Sequence, residues 1–147
     1  MDQYTKIDEL INTSCYVIDP LPQRVERDNG GQYFAVEEYF LQPSELNRLY
    51  RKFINILLKL NCYYDFHVRY HEGWNENPSP ATLTDWVFQC IDGEKDYMNI
   101  VVDHENVMLV VNGDDLYMSL YNPNREFLGL VEKLAGAEGL FVWQASC

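Results

Sequence analysis

Basic residues are scarce in this chain. Eleven Lys and Arg stand against 23 Asp and Glu, a formal net charge of −12, with a pI of about 4.5. Nucleic-acid affinity rests largely on Lys and Arg displacing counterions from phosphate, and an anionic membrane surface attracts the same residues. The balance argues against direct nucleic-acid binding and against a membrane. It favours mutual repulsion in solution and steering toward a basic partner.

Long apolar runs are also missing, so no membrane span is expected. The first residues, MDQYTKIDELINT, carry acids where a secretory signal carries bases, and they lack its apolar centre. A reducing cytoplasm is the expected compartment. The four cysteines, Cys15, Cys62, Cys90 and Cys147, are scattered without a C-x-x-C pair, which does not indicate a zinc knuckle or a dithiol redox centre. Cys62 and Cys90 lie among apolar neighbours, the usual setting of inert thiols. No G-x-S-x-G, G-x-G-x-x-G or G-x-x-x-x-G-K occurs. No catalytic residue, cofactor or metal is therefore assigned. Repeats and linkers are absent, and 147 residues at 47% apolar content suit one domain over 1–147 with one core.

Aromatic residues are abundant, at 14%, with 11 Tyr, 7 Phe and 3 Trp. Periodicity places them. Tyr4, Ile7, Leu10 and Ile11 have helical spacing. After a Pro- and Gly-marked connection from Ser14 to Gly31, with a short edge strand at Tyr16–Ile18, residues 32–42 alternate as a strand. Glu38 interrupts the apolar face of that strand, and a helix is the alternative there. Leu46, Leu49, Tyr50, Phe53, Leu57 and Leu60 define a helix that Ser44 can cap. Tyr63–His71 alternates with a period of two, and the stretch EGWNENPSPAT reads as a long loop. A four-strand meander is expected over Asp85–Ile91, Tyr97–Asp103, Val107–Val111 and Leu116–Tyr121, with Asn112-Gly113 as its strongest hairpin signal. Asn122-Pro123 opens a second helix bearing Phe127, Leu130, Val131 and Leu134, and Leu140–Trp143 is a short last strand or packed tail. The class is α+β: a mainly antiparallel sheet of five or six strands with a meander in its C-terminal half, packed against two main helices plus a short N-terminal one.

Two constellations invite chemistry. His67 and His71 have the i, i+4 spacing of metal ligands on a helix. On a strand their rings stand roughly 13 Å apart at about 3.3 Å per residue, too far for one ion. Asn112-Gly113-Asp114-Asp115 resembles the G-D-D turn of template-directed RNA polymerases, where paired carboxylates hold divalent ions. The resemblance covers only these residues, and the chain is far too short for that family, so the segment reads as a tight turn at positive φ with solvated acids.

The tyrosines say more. In these strand phases one sheet face collects Tyr33, Tyr39, Asp65, His67, Arg69, His71, Asn99, Tyr117, Ser119 and Tyr121. A core does not look like this, and an idle surface would use more Lys, Glu and Thr. Tyrosine offers large contact area at low side-chain entropy, which suits protein recognition. The leading expectation is a noncatalytic protein-binding module of the inhibitor or immunity kind. Its binding residues would be Tyr33, Tyr39, His67, Arg69, His71, Trp74, Tyr117 and Tyr121, and its partner a protein, a basic one if the charge steers it. The alternatives are a small-ligand binder or enzyme using His67, His71, Asp65 and the loop around Trp74, and an oligomeric structural component. A helix lying over part of the tyrosine face would weaken the leading reading.

Overall fold

The computed structural model describes residues 3–26, 28, 30–102, 104 and 106–146, with the backbone alone for Gln3 and Tyr4. Asp103 and Glu105, expected at a strand end and a turn, and Cys147 lie outside the described residues. The elements run α1 (Gln3–Leu10), β1 (Cys15–Asp19), α2 (Tyr33–Phe40), α3 (Pro43–Asn61), β2 (His67–Tyr70), β3 (Gly73–Glu76), α4 (Pro80–Ile91), β4 (Tyr97–Val102), β5 (Val107–Asn112), β6 (Met118–Tyr121), α5 (Arg125–Ala137) and β7 (Phe141–Ala145). The class is α+β. Seven strands form one antiparallel sheet in the order β3-β2-β4-β5-β6-β1-β7. No described helix is long and apolar enough to cross a membrane.

The side-chain period of two divides the sheet into unlike faces. Ile18, Val68, Tyr70, Met98, Ile100, Val102, Leu109, Val111, Met118 and Leu120 point to the face covered by α3, α4 and α5 and join one buried cluster. The apolar stripe of α3, from Leu46 through Phe53 to Leu60, is buried in that cluster along with Phe66, Val68 and Met118, and Leu116 packs at its edge. Tyr50 is fully buried. Its hydroxyl lies 2.6 Å from the carbonyls of both Asn112 and Asp115 and can donate to them. It thereby pins the β5–β6 turn to α3, and burial pushes its pKa up.

Several expectations need correction, each for a local reason. Residues 33–40 are helix, not strand: α2 buries none of its residues, and alternation is a signal of burial that has no meaning where neither face is covered. Asp85–Ile91 is the second half of α4, not a meander strand. Ser79 caps this helix by accepting from Thr82 N–H, Pro80 starts it, and Leu83, Val87 and Cys90 form its buried stripe. The long loop also contains β3, which makes a two-residue hairpin with β2. β1 is not an edge strand, because β7 returns to pair outside it. α3 begins at Pro43 after Gln42, with no side-chain cap from Ser44. α5 is capped by Asn124, which accepts from Phe127 N–H at 2.8 Å. Asn122 instead adopts φ 59° and donates to Asn106 O.

Gly113 has no positive φ. Its role is proximity: a Cβ there would sit 1.8 Å from the Cys90 carbonyl oxygen. Gly113 N–H donates to Asp96 O at 2.9 Å, and Asp96 N–H donates to Cys90 O at 3.0 Å. The turn is sutured to the end of α4 by backbone alone.

Candidate binding groove

The second face of the sheet is largely uncovered. The register sets Trp74, Arg69, Asn99, Val110, Ser119, Val17 and Trp143 side by side, one residue per strand. A parallel row one pleat away, Val101, Met108 and Tyr121, lies under α1, where Leu10 and Ile7 pack on it with Trp74 and Val110. Beside α1 the first row is half-buried, with Asn99 and Val17 buried in it. It forms the floor of a groove of about 970 Å³, walled by Ile7 and Ile11 on one side and by Leu21, Val25 and Tyr33 on the other. From Arg69 to Trp143 the floor crosses five strand spacings, roughly 24 Å at about 4.8 Å each.

Its two ends differ in charge. At the β2–β4 end, Arg69 Nη1 donates to the Tyr97 hydroxyl at 3.3 Å, and the guanidinium lies 5.9 Å from the centre of that ring. Asn99 beside it is 5% exposed. Its Nδ2 faces Met108 Sδ at 3.7 Å, and its Oδ1 is buried without a hydrogen-bond partner among the described residues. A buried polar atom left unmatched costs about 1–3 kcal/mol. At the other end stand Asp19, Asp115, Tyr33, Tyr117 and Trp143. Leu21 N–H donates to Asp19 Oδ1 at 3.2 Å, and Trp143 Nε1 donates to Leu21 O at 3.0 Å. Burial raises the Asp19 carboxyl above its usual range, against the lowering by Leu21 and Trp143. Burial and neighbouring Asp114 raise Asp115, against the lowering by the Tyr117 hydroxyl. Burial and then the hydrogen bond to Glu37 push Tyr33 up to about 12.

The groove gathers Tyr33, Arg69, Asn99, Tyr117, Ser119 and Tyr121 from the tyrosine face expected from the sequence. The other expected residues lie elsewhere. Tyr39 is exposed on α2. Asp65 precedes β2 and accepts from Asn77. His67 faces Glu76 and Val101 across the strands. Trp74 belongs to the small core under α1. His71 is not a strand residue: it takes φ 58° in the β2–β3 turn. Its Nδ1 lies 3.3 Å from Asp96 Oδ2, with its side chain 64% exposed. It lines a neighbouring shallow depression with Glu72, Asp96, Arg69 and Tyr97. Among the described residues no three His, Cys, Asp or Glu are grouped to hold a metal ion. Cys62 and Cys90 are free thiols. Cys62 is exposed and Cys90 buried, and burial pushes Cys90 up to about 12, a poor nucleophile. Cys15 is disulfide-bonded.

Sequence reasoning missed Asp19, Asp115 and Trp143 as groove residues. Leu140–Trp143 reads as a short last strand or a packed tail, and nothing local tells that it pairs with β1 and so brings the Trp143 indole beside Asp19. The fold and site together define an antiparallel α+β protein with an aromatic groove on its open sheet face. Neither family models, nor curated proteins, nor solved structures match the chain.

Proposed function

We propose that the protein is a noncatalytic binding module that receives an extended segment of a partner protein in this groove. The observation that carries the reading is the groove over the cross-strand row from Arg69 to Trp143, lined by Tyr33, Tyr97, Tyr117 and Tyr121. Its length, roughly 24 Å, matches about seven residues of extended chain at about 3.3 Å each. Tyrosine and tryptophan are the residues that most often anchor protein contacts. Among the described residues no nucleophile–base pair stands in the groove, and its shape is a channel rather than an enclosed cavity, which suits a polypeptide better than a small enclosed substrate. The alternative of a small-ligand binder or enzyme has the His71–Asp96 pair in its favour, but that pair is solvent-exposed and outside the groove.

The test is affinity capture from the source cell with wild-type protein and with Ser119→Trp, which fills the middle of the floor. Both forms are first compared by circular dichroism. A polypeptide identified in the wild-type capture should be lost from the variant. Equal recovery by the two forms rejects the groove as the contact site.

A further inference from the structure

The two edges of the sheet are defended unequally. β3 closes one edge with four residues, Gly73–Glu76. Glu72 precedes it, Glu76 ends it, and Asn77 takes φ 45° ahead of Pro78 and Pro80. Shortness, charge and nearby proline are the devices that keep an edge from pairing. β7 closes the other edge with Phe141–Ala145, sequence Phe-Val-Trp-Gln-Ala, and holds neither charge nor proline. It pairs with β1 in unbroken register along all five residues, and Phe141 is 45% exposed. Among the described residues no strand pairs with its outer side. We infer that β7 is a self-association edge: a second copy of this chain adds its own β7 antiparallel to this one, and the two sheets join.

A twofold axis through Trp143, perpendicular to the sheet, makes the contact its own complement. Trp143 then meets Trp143 of the second copy, Phe141 meets Ala145, and Val142 meets Gln144. An aromatic pair stands at the centre, and large is set against small at each end. Charge selects this edge in a chain of −12. Two copies repel one another over most of their surface, whereas β7 brings no charged side chain opposite another. The acids that border it keep apart. Glu138 is turned to α3, where Asn55 Nδ2 donates to its Oε1 at 2.7 Å. Asp19 stands one strand inward, opposite Phe141. The two Asp19 positions of the pair are then three strand spacings across and four residues along, on the order of 20 Å apart. That is about twice the Debye length at ordinary salt. An edge without charge offers a basic partner strand no attraction, but two acidic copies approach along it without penalty.

The paired edge is about 17 Å long at about 3.3 Å per residue. That is short beside the interfaces of permanent dimers. The pairing therefore depends on concentration, with a Kd in the micromolar range. The axis sets both groove floors on one face of the joined sheet, meeting at Trp143 in a row on the order of 50 Å long. The inference stands on β7 alone and does not need the groove to be a binding site.

Sedimentation velocity on the full chain, up to about 1 mM, reads the mass. Cys62→Ser is carried throughout, so that the exposed thiol forms no cross-linked dimer. The mass should pass from 17.3 kDa to twice that value as concentration rises, and stop there, because the contact closes on itself. Raising NaCl from about 0.1 M to about 1 M, which shortens the Debye length from about 10 Å to about 3 Å, should favour the dimer. Phe141→Lys with Gln144→Lys charges the edge at two exposed positions and should raise the dimer Kd about tenfold or more. A second pair tests the register. Phe141→Lys and Ala145→Glu should each weaken the dimer, and together restore it by setting Lys against Glu at both ends. Within one chain these positions lie about 13 Å apart, too far to pair. Circular dichroism checks each fold, and if any of these variants loses it, Gln144→Lys alone decides. A chain that stays monomeric overturns the inference; loss of a captured polypeptide from the lysine pair then gives β7 to a partner's strand. A dimer unchanged by the edge lysines, a mass above twice 17.3 kDa, or a Lys–Glu pair that restores nothing overturns it as well.

Discussion

The two faces of this sheet are made by the same strands, residue alternating with residue, and they share almost nothing else. On one face three helices bury an aliphatic and aromatic cluster around Phe53, Ile100 and Leu109. On the other a single short helix packs its own Leu10 on the buried Val101 and Met108, with a few neighbours. The rest is floored by Arg69, Asn99, Ser119 and Val17 and ringed by phenols. The first face has a folding role that burial explains. The second carries desolvated carboxylates and an unmatched amide that burial alone does not explain. Groups that cost stability and persist on one side of a sheet mark where function is to be sought.

If that division is right, substitutions on the helix-covered side should act on stability. The largest loss is expected for Phe53→Ala, at a fully buried site, about 3–5 kcal/mol. Urea denaturation measures it, and an unchanged midpoint would break the account of the core. Gly113→Ala comes next. The added Cβ meets the Cys90 backbone oxygen, which cannot rotate away as a side chain can. A loss of about 3 kcal/mol, the upper part of the usual overpacking range, is expected. A tolerated alanine would mean the turn is not sutured to α4 as described.

The open face should behave in the reverse sense. Asn99→Leu replaces an amide with an unmatched oxygen by an apolar side chain of similar size. Stability should rise by about 1–2 kcal/mol. A loss of stability would show that Asn99 is satisfied in the folded protein. Tyr117 and Tyr121 separate the two roles more finely. Tyr117 stands at the rim, so Tyr117→Ala should shift stability by about 0.5 kcal/mol or less and affinity by about 2 kcal/mol or more. Tyr121 packs against the cluster under α1, so its truncation should affect both.

What was legible in the sequence follows the same division. The alternation in 63–71 and 116–121 points to β2 and β6, and 97–103 reads as a strand that overlaps β4, buried in all but its first residue; together they set Arg69, Asn99, Ser119 and Tyr121 on one face. The stripe of α3 was equally plain. The failures fall where the physics is not local. α2 buries none of its residues, with Phe34 72% exposed, so its sequence carries no buried stripe for periodicity to report. α4 is hard to see because its Ser-Pro start ends a loop-like stretch, although Ser-Pro is also how a helix begins. The acid end of the groove depends on β7 returning beside β1, a pairing of residues more than a hundred positions apart that no pattern within either strand contains.

The smallest expected effect tests the acid end directly, without a partner. Asp19 and Asp115 both have carboxyl groups raised above the ordinary value of 3.8, chiefly by burial. A carboxyl raised in the folded state holds its proton after the unfolded chain has released it. In that window the folded state binds more protons, so stability falls as pH rises from about 3.8 toward the folded values, and the penalty is constant above them. Below the unfolded pKa both states are protonated and the penalty vanishes. Asp19→Asn with Asp115→Asn removes the ionisation and keeps the acceptor oxygens. The double variant should therefore match wild type near pH 3 and exceed it at pH 7. The margin should be about 0.5 kcal/mol, because water reaches part of both groups and screens them. Thermal melts across that range measure it. A variant less stable than wild type at pH 7 would mean that the carboxylates already have a cation in the folded protein, and the acid end of the groove would then be a structural device of the same kind as the opposite face.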